Sequence, residues 1–185
     1  MTSAFRVLGV SGSLRKGSFN TALLHAAAAL APAGTVVEMA EIASIPPYND
    51  DMRAHGFPEP VAKLREQIAG ADALLIASPE YNYSISGVLK NAIDWASRPP
   101  NQPFAGKPLG IMGASGGMGG TMRAQYHLRQ IAVYLDMHAV NKPEVFVRGA
   151  QAAFDADGSL TDEATKKLVV QLLEALGDFA RRLKA

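Results

Sequence analysis

Apolar residues in this chain occur in two patterns. Residues 5–10 and 71–77 are apolar almost without interruption, which is typical of parallel strands buried on both faces of a sheet. Between such runs, apolar residues recur three or four positions apart, as at Val61, Leu64 and Ile68, which is the spacing of an amphipathic helix. The pattern therefore predicts strands that alternate with helices.

Five strands and five helices are predicted in strict alternation. The strands are residues 5–10, 35–39, 71–77, 108–113 and 145–147. The helices are residues 20–31, 58–69, 87–95, 120–136 and 162–183, with Ser84 or Ser86 as the cap of the third. Residues 45–51 are predicted to be an irregular loop.

This βαβαβαβαβα order predicts an α/β fold in which helices cover both faces of a doubly wound, five-stranded parallel sheet. It is a three-layer arrangement, and we expect a single domain over residues 1–185. Ligands of such sheets bind beyond the carboxyl ends of the strands, at the point where the winding reverses. The loops after the first, third and fourth strands are therefore the expected site.

Composition narrows the class of protein. The 185 residues are 48% hydrophobic and 19% charged with a formal net charge of +1, so nucleic acid and anionic membrane surfaces are not expected partners. The absence of cysteine excludes disulfides, a thiol nucleophile and thiolate metal sites. No apolar run approaches the roughly 18 residues of a membrane span, and residues 1–6 lack the features of a signal peptide. We expect a cytoplasmic protein without a metal site.

The first loop, residues 9–20, has the composition of a phosphate site. It joins an apolar strand to a helix start, where unpaired backbone N–H groups and the helix dipole favour an anion. Gly12 and Gly17 allow close approach of the backbone to a ligand. The candidate phosphate-binding side chains in this loop are Ser11, Ser13, Arg15, Ser18 and Asn20.

The phosphate is predicted to be a terminal monophosphate. Residues 12–17 have the Gly-x4-Gly spacing of a nucleoside-triphosphate loop, but Ser18 and Phe19 replace its Lys and Ser or Thr. The Gly-x-Gly-x-x-Gly dinucleotide fingerprint is also absent. The alternative for this stretch is a serine-rich turn that only caps a helix.

The second and third loops suit a planar ligand. After the third strand, Tyr81 and Tyr83 flank Asn82, so two rings and an amide could contact a flat heteroaromatic ring, or the rings could simply pack the loop. After the fourth strand, residues 113–120 contain five glycines and could approach such a ring closely, or form a flexible turn.

Several motifs, taken in order, resemble the NAD(P)H-dependent FMN reductase family, and most closely its bacterial chromate and quinone reductases. They are Gly12-Ser-x-Arg-x-x-Ser-x-Asn20, Pro79-Glu-Tyr-Asn82, Leu89-Lys-Asn-Ala-Ile-Asp-Trp95, Met122-Arg-Ala-Gln-Tyr-His-Leu-Arg-Gln130 and Asn141-Lys-Pro-Glu144. The resemblance covers nearly the whole chain. It implies a flavodoxin-like fold with strand order 2-1-3-4-5, bound FMN and a homodimer or homotetramer.

The resemblance also assigns roles to individual residues. The FMN phosphate would be held by Ser11, Ser13, Arg15, Ser18, Asn20 and Thr21. The isoalloxazine ring would be contacted by Pro79, Glu80, Tyr81, Asn82 and Tyr83, and on its other side by Ser115, Gly116 and Gly117. FMN would carry the chemistry, so no side chain is expected to act as an acid, base or nucleophile.

The implied activity is reduction of quinones by NAD(P)H. A hydride would pass to flavin N5 and then to the acceptor, with ping-pong kinetics, and chromate, azo dyes and nitroaromatic compounds are further candidate acceptors.

Two other classes of protein compete with this interpretation. A flavodoxin-like electron carrier would have no substrate of its own, but a net charge of +1 does not suit its acidic docking face. A serine hydrolase would use Ser115 in the Gly-x-Ser-x-Gly segment 113–117.

One polar cluster is predicted on the fourth helix. Arg123 and Tyr126 are three residues apart and so lie on one face, where a carboxylate such as Glu144 would complement them within the chain or across a subunit boundary. The alternative is an ordinary solvated polar face.

Overall fold

The computed structural model describes residues 4–184. Residues 1–3 and 185 lie outside that range. Our predictions for the amino-terminal segment and for the extent of the domain include these residues and, for them, lie outside the described part of the chain. The strands are β1 Phe5–Ser11, β2 Thr35–Ala40, β3 Ala73–Ala77, β4 Pro108–Ala114, β5 His138–Ala139 and β6 Val145–Val147. The helices are α1 Phe19–Ala29, α2 Asp50–Arg53, α3 Glu59–Gly70, α4 Gly87–Ala96, α5 Met122–Tyr134 and α6 Glu163–Lys184, with a 3-10 turn at Ala150–Ala152.

All strand pairs are parallel, and the order is β2-β1-β3-β4-β5, with β6 also paired to β4. The predicted flavodoxin-like order is therefore confirmed. The edge position beside β4 is shared by two short strands: His138 of β5 lies opposite Pro108, and Val145 of β6 lies opposite Met112. The predicted fifth strand is β6, and β5 is an addition to the prediction.

Apolar side chains fill both faces of the sheet. Leu74 and Ile76 of β3 face one hydrophobic cluster, which includes side chains of α3, α4 and α5. Leu75 and Ala77 face the other, which includes side chains of α1 and α6. This alternation along a fully buried strand is the expected consequence of side chains that point to opposite faces, and it confirms the three layers.

Two local predictions need correction. Residues 45–51 are not wholly irregular, because α2 begins at Asp50, where the Asn49 side chain accepts a hydrogen bond from the Asp51 N–H. The third strand begins at Ala73, since the Ala71 N–H still bonds to carbonyls of α3. The cap of α4 is Ser86, which accepts a hydrogen bond from Leu89.

Between residues 4 and 184, no helix has both the length and the apolar character needed to cross a membrane.

Candidate functional site

The loops after β1, β3 and β4 meet at one edge of the sheet. The Gly12 N–H donates to the Ala77 carbonyl at 2.7 Å, and the Ser86 hydroxyl donates to the Gly12 carbonyl at 2.5 Å, so the first two loops are joined. The Ser78 N–H reaches the Met112 carbonyl at 3.4 Å, which joins the second loop to β4. The predicted site residues lie on these loops, at the start of α1 or, for Ser11, at the end of β1.

The first loop ends at the amino terminus of α1. Ser18 caps the helix by accepting a hydrogen bond from the Thr21 N–H, and the Ala22 N–H makes the first bond to a backbone carbonyl. Phe19 and Asn20 precede Ala22 in the first turn of α1. Backbone N–H groups in the first turn have no carbonyl partner within the helix. Ser11 and Thr21 share a hydrogen bond of 2.7 Å between their hydroxyl oxygens at the base of this loop.

Arg15, the predicted phosphate-binding cation of the first loop, is exposed. Arg15 is solvent-accessible, and its guanidinium carbon lies 5.6 Å from the centre of the Phe19 ring. The Ser13 hydroxyl accepts a 3.4 Å hydrogen bond from the Arg15 N–H and thereby helps to fix the backbone there. A positive side chain above a helix start with free N–H groups favours an anion.

Asn20 has a structural partner that its sequence position does not indicate. Its side-chain amide donates to the Ala114 carbonyl at 3.0 Å, and its side-chain oxygen accepts from the Ala114 N–H at 2.9 Å. The side chain is almost completely buried and so connects the start of α1 to the end of β4. The side chain of Asn20 therefore ties α1 to β4, and its backbone N–H lies in the first turn of α1, where it can donate to an anion.

Two glycines allow the loops to approach one another. A Cβ at Gly12 would lie 2.9 Å from the Ser78 hydroxyl and 3.2 Å from its Cα. A Cβ at Gly113 would lie 2.0 Å from the Thr121 hydroxyl and 2.8 Å from the Ser78 carbonyl oxygen. No side chain fits at either position unless its neighbours move.

The second loop contains a tight two-residue turn. Tyr81 and Ser84 pair through reciprocal backbone hydrogen bonds of 3.0 Å, and Asn82 and Tyr83 between them have φ angles of +50° and +68°. Positive φ at both central residues is the geometry of a type I′ turn, and it is unusual for a tyrosine. The side chains of Tyr81 and Tyr83 remain largely exposed at this edge. The contact of these rings with a planar ligand stays a prediction.

Glu80 is directed into the amino terminus of α5. Its carboxylate accepts from the N–H groups of Arg123 at 2.9 Å and Ala124 at 3.2 Å, and from the Arg123 guanidinium at 2.6 Å. Desolvation by burial raises the pKa of Glu80, but these hydrogen bonds and the charge of Arg123 outweigh it and lower the pKa overall. Glu80 therefore caps a helix and fixes the second loop in place.

Arg123 holds the same loop from a second side. Its guanidinium carbon lies 4.0 Å from the centre of the Tyr83 ring, within the range of a cation–π contact. The predicted cluster on α5 is accordingly only partly correct within the chain. The Tyr126 hydroxyl contacts Glu144 at 3.3 Å, but Arg123 pairs with Glu80 instead.

The third loop has no hydrolase geometry. The Ser115 hydroxyl donates to the Gly120 carbonyl at 2.7 Å and accepts from the Gly117 N–H at 3.3 Å, so it stabilises its own loop. His127 is hydrogen-bonded to Ser84, at 2.7 Å. His138 lies opposite Pro108, at the other end of β4 and roughly 20 Å from Ser115 by strand length. The hydrolase alternative therefore has no support.

Two residues with close contacts beside these loops were not among the predicted site residues. Buried Gln125 donates to the Thr121 hydroxyl at 3.0 Å and to the Val145 carbonyl at 2.9 Å. The Gln151 side chain lies against Gly116, where an added Cβ would be 2.6 Å from its amide nitrogen. The only sequence signal for the first contact is a glutamine on the inner face of a predicted helix, and nothing in the sequence indicates the second.

Within residues 4–184, no group of three His, Asp or Glu side chains is placed to hold a metal ion.

Comparison with known proteins gives a consistent result. The family model of NADPH-dependent FMN reductase matches residues 5–152. An NAD(P)H-dependent FMN reductase of Pseudomonas aeruginosa is 59% identical over 184 residues and covers 100% of both chains. An NAD(P)H:quinone oxidoreductase of Solanum tuberosum is 50% identical, with 97% of this chain and 94% of the relative covered. A quinone reductase of Escherichia coli K12 is 46% identical, with 100% of both chains covered.

A solved structure is similar in fold and in sequence. FerB, a flavoenzyme NAD(P)H:(acceptor) oxidoreductase from Paracoccus denitrificans, aligns with a TM-score of 0.88 and 37% identity. The alignment covers 97% of this chain and 98% of that one.

Proposed function

The chain belongs to the NADPH-dependent FMN reductase family, and on that premise we propose that it reduces quinones with electrons from NAD(P)H in two alternating half-reactions. The observation that carries this proposal is the edge where the three loops meet. It combines a helix start suited to a phosphate with an open surface bearing two exposed tyrosines. We further propose a cytoplasmic location, because NAD(P)H is a cellular cofactor.

The described residues fit FMN. Gly12 and Gly113, where a Cβ would require neighbouring atoms to move, let the loops come together. The first N–H groups of α1 are available beside them. We propose that the phosphate is held by Ser11, Ser13, Arg15, Ser18, Thr21 and the backbone of Asn20. We propose that the ring lies between residues 79–83 and residues 115–117, with Glu80 acting through its hold on α5 rather than by contact.

When bound, FMN supplies hydride and electron transfer, which no side chain of this protein provides. The protein's own residues bind and orient. Short hydrogen bonds fix the second loop to α5 and the third loop to itself, so their N–H groups are already in position before a substrate arrives. Tyr81 is 55% exposed and Tyr83 is 71% exposed, which leaves room for a nicotinamide or a quinone at the same surface.

Steady-state kinetics would test the alternating order. With NAD(P)H and a quinone as varied substrates, we expect parallel lines in double-reciprocal plots, because both substrates use one surface in turn. Intersecting lines would show that both bind together and would contradict the proposal. An electron carrier without a substrate of its own would show no NAD(P)H oxidation with quinone at all. Chromate, azo dyes and nitroaromatic compounds are proposed as further acceptors, to be assayed in the same way.

Arg15→Ala is expected to weaken FMN binding by about 1.5–3 kcal/mol, because a charge-assisted contact to the phosphate is lost. Isothermal titration of the apoprotein with FMN measures the change. Arg15→Lys keeps the charge but not the planar fork, so it should fall between wild type and Arg15→Ala. An Arg15→Ala protein with wild-type affinity would remove Arg15 from the proposed phosphate site.

We propose that the protein forms a homodimer or homotetramer through α5. Val133 and Tyr134 on this helix are 81% and 85% exposed, which is unusual for large apolar residues so close together. Val133→Glu should therefore lower the mass measured by light scattering at low micromolar concentration. Leu183→Glu, which places the same charge on α6, is the control and should leave the mass unchanged. A Val133→Glu protein that keeps the wild-type mass would contradict an interface at this position.

A further inference from the structure

A cavity outside the proposed ring site adjoins the first loop. A groove of about 670 Å³ runs between α1 and residues 155–160, and its lining begins with Gly17, Ser18 and Thr21, at the start of the helix. Its volume lies within the range of small-molecule sites, roughly 300–1,000 Å³. None of the ring-contact residues proposed above lines it. The groove therefore begins at the proposed phosphate position and is lined by residues other than those proposed to contact the ring.

Small apolar side chains of α1 form part of the groove wall, beside Phe19 and His25. Ala22, Ala26 and Ala29 lie three or four residues apart on α1, so they form one face of the helix. Leu160 lines the groove from the other side. Methyl side chains along a helix leave a shallow surface on which a planar base could lie with little loss of side-chain freedom.

The rim of the groove carries charge suited to a nucleotide. Lys16 and Lys166 both line it, but Lys166 is paired with Glu163 at 2.7 Å, so Lys16 is the cation relevant to an anionic ligand. Lys16 directly follows Arg15, the residue proposed to bind the FMN phosphate. Asp155 is occupied by its own loop, since its Oδ1 accepts from the N–H groups of Asp157 and Ser159. Asp157 is exposed at the same rim, where its carboxylate can accept hydrogen bonds from ribose hydroxyls or an exocyclic amine.

We propose that this groove binds the adenylate half of FAD, so that the protein accepts FAD in place of FMN. The inference rests on the proposed function, because it puts the riboflavin phosphate of FAD in the first loop. A ligand bound there through one phosphate extends directly into the groove, where Lys16 meets the second phosphate. The alanine side chains of α1 then receive the adenine. A free nucleotide would match the same groove, but a dinucleotide also uses the fact that the groove starts at the proposed phosphate site.

Binding of FMN and of FAD to the same apoprotein, measured by isothermal titration, tests this inference. We expect the two dissociation constants to agree within about tenfold. Ala26→Trp, which fills the middle of the groove, should weaken FAD at least about tenfold and change FMN less than about twofold. Ala28→Trp places the same side chain on α1 outside the groove and should change neither. Ala29→Trp repeats the block one turn farther from Ser18, in case the first substitution disturbs the phosphate site.

The outcomes separate the two proposals. If the wild-type protein binds FMN, and binds FAD more than about a hundredfold more weakly than FMN, the groove inference is wrong and the proposed function stands. If neither flavin binds, the proposed function is wrong. Equal FAD affinity in wild type and both blocked variants would place the adenylate outside the groove and would also overturn the inference.

Discussion

Replacing Gly113 with alanine is expected to lower the free energy of unfolding by about 3 kcal/mol or more and to abolish tight FMN binding. The new Cβ would lie 2.0 Å from the Thr121 hydroxyl oxygen and 2.8 Å from the Ser78 carbonyl oxygen. Thr121 is fully buried and its hydroxyl accepts a hydrogen bond from Gln125, so it cannot turn away without a further loss. The second and third loops must separate to make room, and the proposed ring site lies between them.

Urea unfolding and FMN titration of the same preparation measure both effects. Gly117→Ala is the matched control in the same loop, because its Cβ would meet only the Ser115 hydroxyl, at 3.8 Å. We expect the control to retain wild-type stability. If Gly113→Ala unfolds at the wild-type urea concentration, the close approach of the two loops does not exist in solution.

Asn20→Ala is expected to cost about 2–4 kcal/mol of stability, since it leaves a buried N–H and a buried carbonyl of Ala114 without their partner. It should also weaken FMN binding, because the start of α1 is no longer tied to β4. Asn141→Ala is the control: that amide also makes a hydrogen bond, of 3.3 Å to Arg129, but it is exposed. Urea unfolding should show a large loss for Asn20→Ala and a small one for Asn141→Ala.

A loss of FMN affinity in Asn20→Ala without any loss of stability would have a different meaning. It would place the side chain on the phosphate, as its position in the sequence motif predicts, rather than on Ala114.

Most of the fold was predictable because it depends on local patterns. Strands β1, β3 and β4 are short apolar runs bounded by turn residues, and their alternation with helices predicts a doubly wound parallel sheet. The order of the strands was implied by the family resemblance. β5 was missed because it has only two residues, and its strand character comes from pairing with Pro108 and Leu109 rather than from its own sequence. α2 was missed for a related reason, since a four-residue helix carries too little periodicity to recognise.

The meeting of three loops at one edge of the sheet was predictable, but the partners of individual side chains were not. The three loops follow from the sheet rule and from the glycines and serines they contain. The partners of Asn20 and Glu80 lie 94 and 43 residues away along the chain, so no local pattern indicates them. Arg123 was recognised as one of a polar pair, but the choice of Glu80 over Glu144 as its partner depends on how the second loop meets α5.

Anaerobic addition of NADPH to the purified protein tests the central claim most directly. We expect a yellow protein with one FMN per chain, whose oxidised-flavin absorbance disappears on addition of NADPH and returns on addition of a quinone. A colourless protein that shows no spectral change with added FMN would contradict the account, and so would a yellow protein whose spectrum NADPH does not change.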